Sequence, residues 1–118
     1  MQVDHVDFVT IPTRDEDAAL DFYHGTLGLP LDPNNPREVR AGQLTLAFWN
    51  PEADGVEFSP NLSGFAMRVP DVDAARAELE ERGVKFAGTE DSGVCRMAFF
   101  QDPDGNWAML HRRYAPYE

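Results

Sequence analysis

Three histidines, His5, His24 and His111, and a single cysteine, Cys95, are the side chains in this chain best suited to hold a metal ion or to move a proton near neutral pH. No two of the histidines stand at metal-ligand spacing. His111 follows Met109 by two positions, so on a strand both face the same side, and His111 is the best polar candidate for a binding surface. His5 precedes Phe8 by three, which sets it on the opposite face of any strand reaching that far. His24 follows Tyr23 near the end of a helical pattern, where a cation is mildly favoured. Ser59, Ser63 and Ser92 fall in turn-rich segments with no matching histidine and acid, and no glycine-rich phosphate loop occurs, so nucleophilic and phosphoryl chemistry have no support. Acid–base chemistry without a metal would require the fold to bring Arg68, His111, Tyr23 and Glu38 together. Cys95, between Val94 and Arg96 ahead of an apolar run, reads as a packed core thiol.

The elements that must position these residues are clearest near the C-terminus. Phe99-Phe100-Gln101 and Trp107-Ala108-Met109-Leu110-His111 flank Asp102-Pro103-Asp104-Gly105, where proline presets one turn dihedral and glycine supplies another, so a hairpin is predicted. At the other end, Val6 to Ile11 is rich in β-branched residues and stops at Pro12, which marks a strand. Thr13 to Glu16 reads as a capping box with Thr13 at the cap, and Ala19, Leu20, Tyr23 and Leu27 follow at helical spacing. The helix stops near Gly25 to Gly28. Pro30 to Pro36 reads as a loop leading to strands around Glu38 to Arg40 and over Leu44 to Trp49.

The second half repeats the first. Gly64 to Asp71 parallels Phe8 to Asp15 at an offset of 56 residues. Val72, Ala75 and Leu79 mark the buried stripe of a second helix, Glu78 and Arg82 form an i,i+4 pair, and Gly83 is placed to cap the C-terminus. Val84 to Phe86, Val94 to Phe100 and Trp107 to His111 give later strands. The layout is one domain over residues 1–118, with repeat one about 4–50, a connector about 51–62 and repeat two about 63–113. Two βαβββ repeats of an α+β fold, each leaving one sheet face uncovered, are expected to pair into a curved mixed sheet around a cleft.

Twenty-one acidic residues against 10 basic ones give a net charge of −11, which opposes binding to nucleic acid or to an anionic membrane surface. No apolar stretch approaches the ~20 residues of a membrane-spanning helix. Cys95 has no intramolecular disulfide partner, and Met1 to His5 lacks the basic and long apolar regions of a signal peptide, so a cytoplasmic location is expected.

Five motifs in order resemble the vicinal oxygen chelate superfamily, which holds glyoxalase I, extradiol dioxygenases and bleomycin resistance proteins. They are the strand carrying Pro12 and Asp15, Asp21-Phe22-Tyr23 with Thr26-Leu27-Gly28-Leu29, Val69-Pro70-Asp71-Val72, Glu81-Arg82-Gly83-Val84, and Asp102-Pro103-Asp104-Gly105-Asn106. In the metal enzymes of that group, ligands come from the first strand and a late strand of each half. The resemblance carries those four positions onto Phe8, Leu46, Gly64 and Met109, a set without any strong ligand, so no metal and no cofactor are expected. By strand alternation, Phe8, Thr10, Ala66, Arg68, Trp107, Met109 and His111 then face the cleft, with Phe48 and Trp49 adding to the wall, while Val9, Ile11, Phe65, Met67 and Val69 face the helices. Such a surface suits a hydrophobic or aromatic small molecule. The resemblance also implies a homodimer, with Arg112 to Tyr117 available for its contacts. Whether the protein is an enzyme stays open at this point: the alternative is a lyase, isomerase or dioxygenase whose displaced metal site draws on His111, His5 and Glu57 or Glu38.

Overall fold

The structure, a computed structural model, describes residues 1–117. The chain divides into two compact units, Met1–Pro60 and the part from Asn61 onward, and each is a βαβββ module. The first contains β1 (Phe8–Pro12), α1 (Glu16–Leu20), β2 (Leu31–Asp32), β3 (Asn35–Ala41) and β4 (Leu44–Trp49). The second contains β5 (Ala66–Arg68), α2 (Val72–Glu81), β6 (Phe86–Asp91), β7 (Cys95–Gln101) and β8 (Trp107–Arg113). The first module's sheet has the order β1-β4-β3-β2, the second's has β5-β8-β7-β6, and in each the first strand runs parallel to the last while the other pairs are antiparallel. This is the expected α+β architecture.

The repeat is visible in local chemistry. Asp15 and Asp71, 56 residues apart, are the two helix N-caps, and each carboxylate accepts from the backbone N–H three residues on, at 3.1 and 3.0 Å. Thr13 is therefore not the cap. Its hydroxyl accepts instead from the Asp15 N–H at 3.1 Å, a local turn that orients the true cap. α2 ends as its spacing predicts: Gly83 adopts φ +92°, and the Val84 N–H reaches back to the Leu79 carbonyl at 3.0 Å. α1 continues into a wider π-helical stretch over Asp21–Thr26, closed by the Leu27 N–H on the Phe22 carbonyl at 2.8 Å.

Strand limits differ from the sequence reading in three places. β1 starts at Phe8, leaving His5 and Val6 exposed ahead of it. Part of the proline-rich loop is strand, because β2 and the start of β3 lie inside Pro30 to Pro36. Val84 is a buried residue of the α2 C-terminal turn, and the strand expected there begins at Phe86.

Each sheet packs one face on its own helix. Ile11, Ala19, Tyr23, Val39 and Leu46 form the buried core of the first module; Val72, Leu79, Ala98, Phe100, Ala108 and Leu110 form that of the second. At about 1.5–3 kcal/mol for each fully buried large apolar side chain, these faces dominate the stability of either module. Because strand residues alternate, the opposite face of each sheet is fixed by the same register.

Candidate functional site

In the second module that opposite face can be read row by row across the strand pairing. Arg68 on β5 pairs with His111 on β8, His111 with Met97 on β7, and Met97 with Glu90 on β6. The next row is Ala66, Met109, Phe99 and Gly88. Beyond it, Trp107 lies opposite Gln101. Ala66 and Arg68 are exposed, while Met97, Phe99, Trp107, Met109 and His111 are half-buried. Five of the expected site residues, Ala66, Arg68, Trp107, Met109 and His111, therefore share one face of one sheet. Phe99 and Met97 belong with them and were missed. Counting back across the Asp-Pro-Asp-Gly turn from Met109 and His111 would have found them.

That turn explains how the face is held. Asp102 is buried, and its carboxylate accepts from the N–H groups of Asp104 and Asn106 at 2.9 Å and from the Asn106 side-chain amide at 2.8 Å. The Asn106 side-chain oxygen in turn accepts from the Asn61 N–H at 2.8 Å, and the Trp107 N–H donates to the Asn61 carbonyl at 2.9 Å. The hairpin is thus tied to the chain leading into β5. Gly64, in that chain, adopts φ +68°, and a Cβ there would lie 2.3 Å from the Trp107 carbonyl oxygen. Only glycine allows this approach.

Cys95 lies on the same face, opposite Arg113, and is half-buried rather than packed in the core as expected. Arg113 donates to the Pro116 carbonyl at 3.1 Å and stacks on the Tyr117 ring at 4.2 Å, and its Nε is buried without a hydrogen-bond partner among the described residues. Tyr114 donates to Asp91 at 2.6 Å, which holds that carboxyl below its ordinary value and raises the tyrosine.

In the first module, Phe8 pairs with Thr45 and Thr45 with Arg40, while Thr10 pairs with Ala47. Phe8 and Thr10 are both exposed, on the face opposite the helix. The polar part of this face is self-contained. Asp32, 6% exposed, accepts from the Thr45 hydroxyl at 2.7 Å and from Arg40 at 3.1 Å. The Thr45 bond, the Asn34 N–H and Arg40 together lower its pKa to about 2 against the opposing effect of burial. Phe48 faces the helix and packs on Tyr23 at 5.3 Å, so it does not join this surface, whereas Trp49 is exposed and donates to Asp54 at 2.7 Å. Tyr23 is fully buried, which removes it from any acid–base set with Arg68 and His111.

The ligand positions carried over from the resemblance also need one correction. Thr10 pairs with Ala47 as Ala66 pairs with Met109, so the first-module counterpart of Met109 is Ala47; Leu46 is fully buried against the helix. The set is then Phe8, Ala47, Gly64 and Met109, with a single weak thioether donor, and does not fit a metal ion. Among the described residues, no three His, Cys, Asp or Glu side chains gather to hold one elsewhere. His5 sits 2.8 Å from Asp7 on the exposed N-terminal segment, and His24 Nδ1 lies 2.8 Å from the Leu29 carbonyl.

With the fold and this face in view, likeness to known proteins becomes informative. The family model of the Glyoxalase/Bleomycin resistance protein/Dioxygenase superfamily matches residues 2–110. The chain belongs to that superfamily. Among solved members, TnmS3, an antibiotic binding protein from Streptomyces sp. CB03234, is 31% identical, with 96% of this chain and 98% of that one covered and a TM-score of 0.79. A Glyoxalase/bleomycin resistance protein/dioxygenase superfamily member from Sphaerobacter thermophilus DSM 20745 is 34% identical over 92% and 97% of the two chains, with a TM-score of 0.75. A second Streptomyces sp. CB03234 protein, described as a glyoxalase/bleomycin resistance protein, is 30% identical over 92% and 100%, with a TM-score of 0.73. No helix among the described residues of this superfamily member is long and apolar enough to cross a membrane.

Proposed function

We infer that this superfamily member binds a hydrophobic or aromatic small molecule without a metal ion, and that it does so on the open face of its second module. The observation that carries the reading is the half-buried lattice of Trp107, Met109, Phe99 and Met97 beside exposed Ala66, with polar side chains only along its borders. Aromatic and thioether groups stack on planar ligands, and a sparse polar set orients them. Phe8 and Thr10, on the open face of the first module, offer a similar surface. Likeness to an antibiotic binding protein over nearly the whole chain supports binding rather than turnover.

The protein acts as a cytoplasmic homodimer in this reading, with neither nucleic acid nor membrane as partner. A net charge of −11 and exposed Tyr114 and Tyr117 at the end of β8 support those two parts of it. The expected result is saturable quenching of Trp107 by neutral 1-naphthamide in a Trp49→Phe background, unchanged by EDTA or by added Mn, Ni or Zn, with metal content below about a tenth of an equivalent by mass spectrometry. Binding that requires the metal, or no saturable response to any planar probe, overturns the reading.

A further inference from the structure

The open face of the second module is apolar at the hairpin end and cationic at the other. Arg68 and His111 are register partners on adjacent parallel strands, so their Cα atoms lie about 5 Å apart on one face. Among the described residues, neither side chain has a hydrogen-bond or ion-pair partner within the protein. Arg68 stands apart from most arginines of this chain: Arg14, Arg37, Arg40, Arg76, Arg82 and Arg96 each sit against a carboxylate. In a chain with 21 acidic residues, an arginine left without one is the exception.

Among the described residues, no ion pair on this face neutralises it. The carboxylate in the same row, Glu90, is three strand spacings from Arg68, about 14 Å, and two from His111, about 10 Å, at or beyond the distance over which salt screens exposed charges. The next residue on the face along β8 is Arg113, a further cation with a buried Nε that lacks a partner. One row toward the hairpin, Ala66, Met109 and Phe99 present an apolar strip wide enough for a planar ring system.

We propose that the ligand of this face is an aromatic carboxylic acid, its ring lying on Met109, Phe99 and Trp107 and its carboxylate taken by Arg68 with His111 beside it. Arginine's planar fork matches a carboxylate through two parallel N–H bonds, and charge-assisted bonds are about twice as strong as neutral ones. The small side chain of Ala66 leaves the ring access to the Met109 row from the β5 edge. This inference rests on the small-molecule reading above, and adds that the ligand is an anion.

The test uses three matched probes, 1-naphthoate, 1-naphthamide and 1-naphthylmethylammonium, titrated against the full chain by calorimetry in low and moderate salt. The expected order is naphthoate tightest by about tenfold over the amide, with the ammonium weakest, and the naphthoate advantage shrinking as salt rises. Arg68→Met keeps an apolar stem on an exposed position, and is expected to bring the naphthoate to naphthamide affinity ratio to about one with the circular dichroism spectrum unchanged. Arg68→Lys is expected to recover part of it. Equal affinity for acid and amide, or a naphthoate advantage that survives Arg68→Met, overturns the anion proposal and leaves small-molecule binding standing. Failure of all three probes to bind overturns both.

Discussion

The two modules share a topology and a strand register, yet they treat an arginine on the open face in opposite ways. In the first, Arg40 donates to Asp32, whose carboxylate also takes the Thr45 hydroxyl, so charge and donors are satisfied within the sheet. In the second, Arg68 stands beside His111 without an ion-pair partner among the described residues. A satisfied cluster stiffens a surface; an unsatisfied cation invites a ligand to complete it. The same contrast appears in the tight connections. The first module turns from β3 to β4 through Gly42, φ +64°, whereas the second places a buried aspartate and asparagine on the β7–β8 turn and anchors the asparagine to Asn61. The second module is built to hold its last strand in one place.

Replacing glycine where the halves diverge most should give the largest effect. Gly64→Ala sets a Cβ into the Trp107 carbonyl at a left-handed φ, and is expected to cost about 3 kcal/mol or more in urea denaturation followed by Trp107 emission. Phe8→Ala, at the equivalent position 56 residues earlier and 55% exposed, should cost under about 1 kcal/mol. Equal costs at the two positions would mean that the close approach at Gly64 is not a constraint.

Next in size are the turns. Asp102→Ala leaves three donors without their acceptor in a buried setting, and a loss of about 2 kcal/mol or more is expected. Gly42→Ala strains an open turn with nothing near the new methyl, and about 1 kcal/mol is expected. The ranking reverses if the Asp102 network is incidental.

Acid separates the modules by a different measure. A carboxyl held below its ordinary value contributes stability that is complete above about 3.8 and is lost as the pH falls toward about 2, which is the window for Asp32. Thr45→Val removes the largest cause of that depression, so acid unfolding seen by Trp49 in a Trp107→Phe background should begin at higher pH. In the second module, Tyr114→Phe should act the same way through Asp91, read by Trp107. An unmoved onset in Thr45→Val would show that Asp32 does not depend on these bonds to stay charged. The smallest effect belongs to the exposed Arg82–Glu78 pair at 2.7 Å: Arg82→Ala should change stability by no more than about 0.5 kcal/mol.

Much of this was legible in the chain. The duplication could be read because Phe8 to Asp15 and Gly64 to Asp71 run parallel at one offset, and the final hairpin because Asp-Pro-Asp-Gly leaves few other conformations. The alternation of β1, β5 and β8, phased by the family resemblance, put seven residues on one side of their strands. What stayed hidden depends on contacts distant in sequence. Asp32 lies in a segment whose prolines and asparagines read as loop, and its strand exists because β3 pairs with it and Thr45 donates across to it. Thr13 looked like the better cap, since hydroxyl and carboxylate caps score alike and only the backbone angles at Asp15 decide between them. Phe48 and Leu46 were misplaced for one reason: on a strand whose single polar residue is Thr45, alternation has little to set its phase.

One feature of the topology bears on how the chain can be divided. Every strand pairing lies within Phe8 to Trp49 or within Ala66 to Arg113 among the described residues, Phe58 is covered by Arg14 of the first module, and Asn61 is tied to the last hairpin. Between them only Ser59 and Pro60 remain. A chain severed there would keep both hydrogen-bond ladders whole, so that each piece would carry its own sheet and its own helix intact.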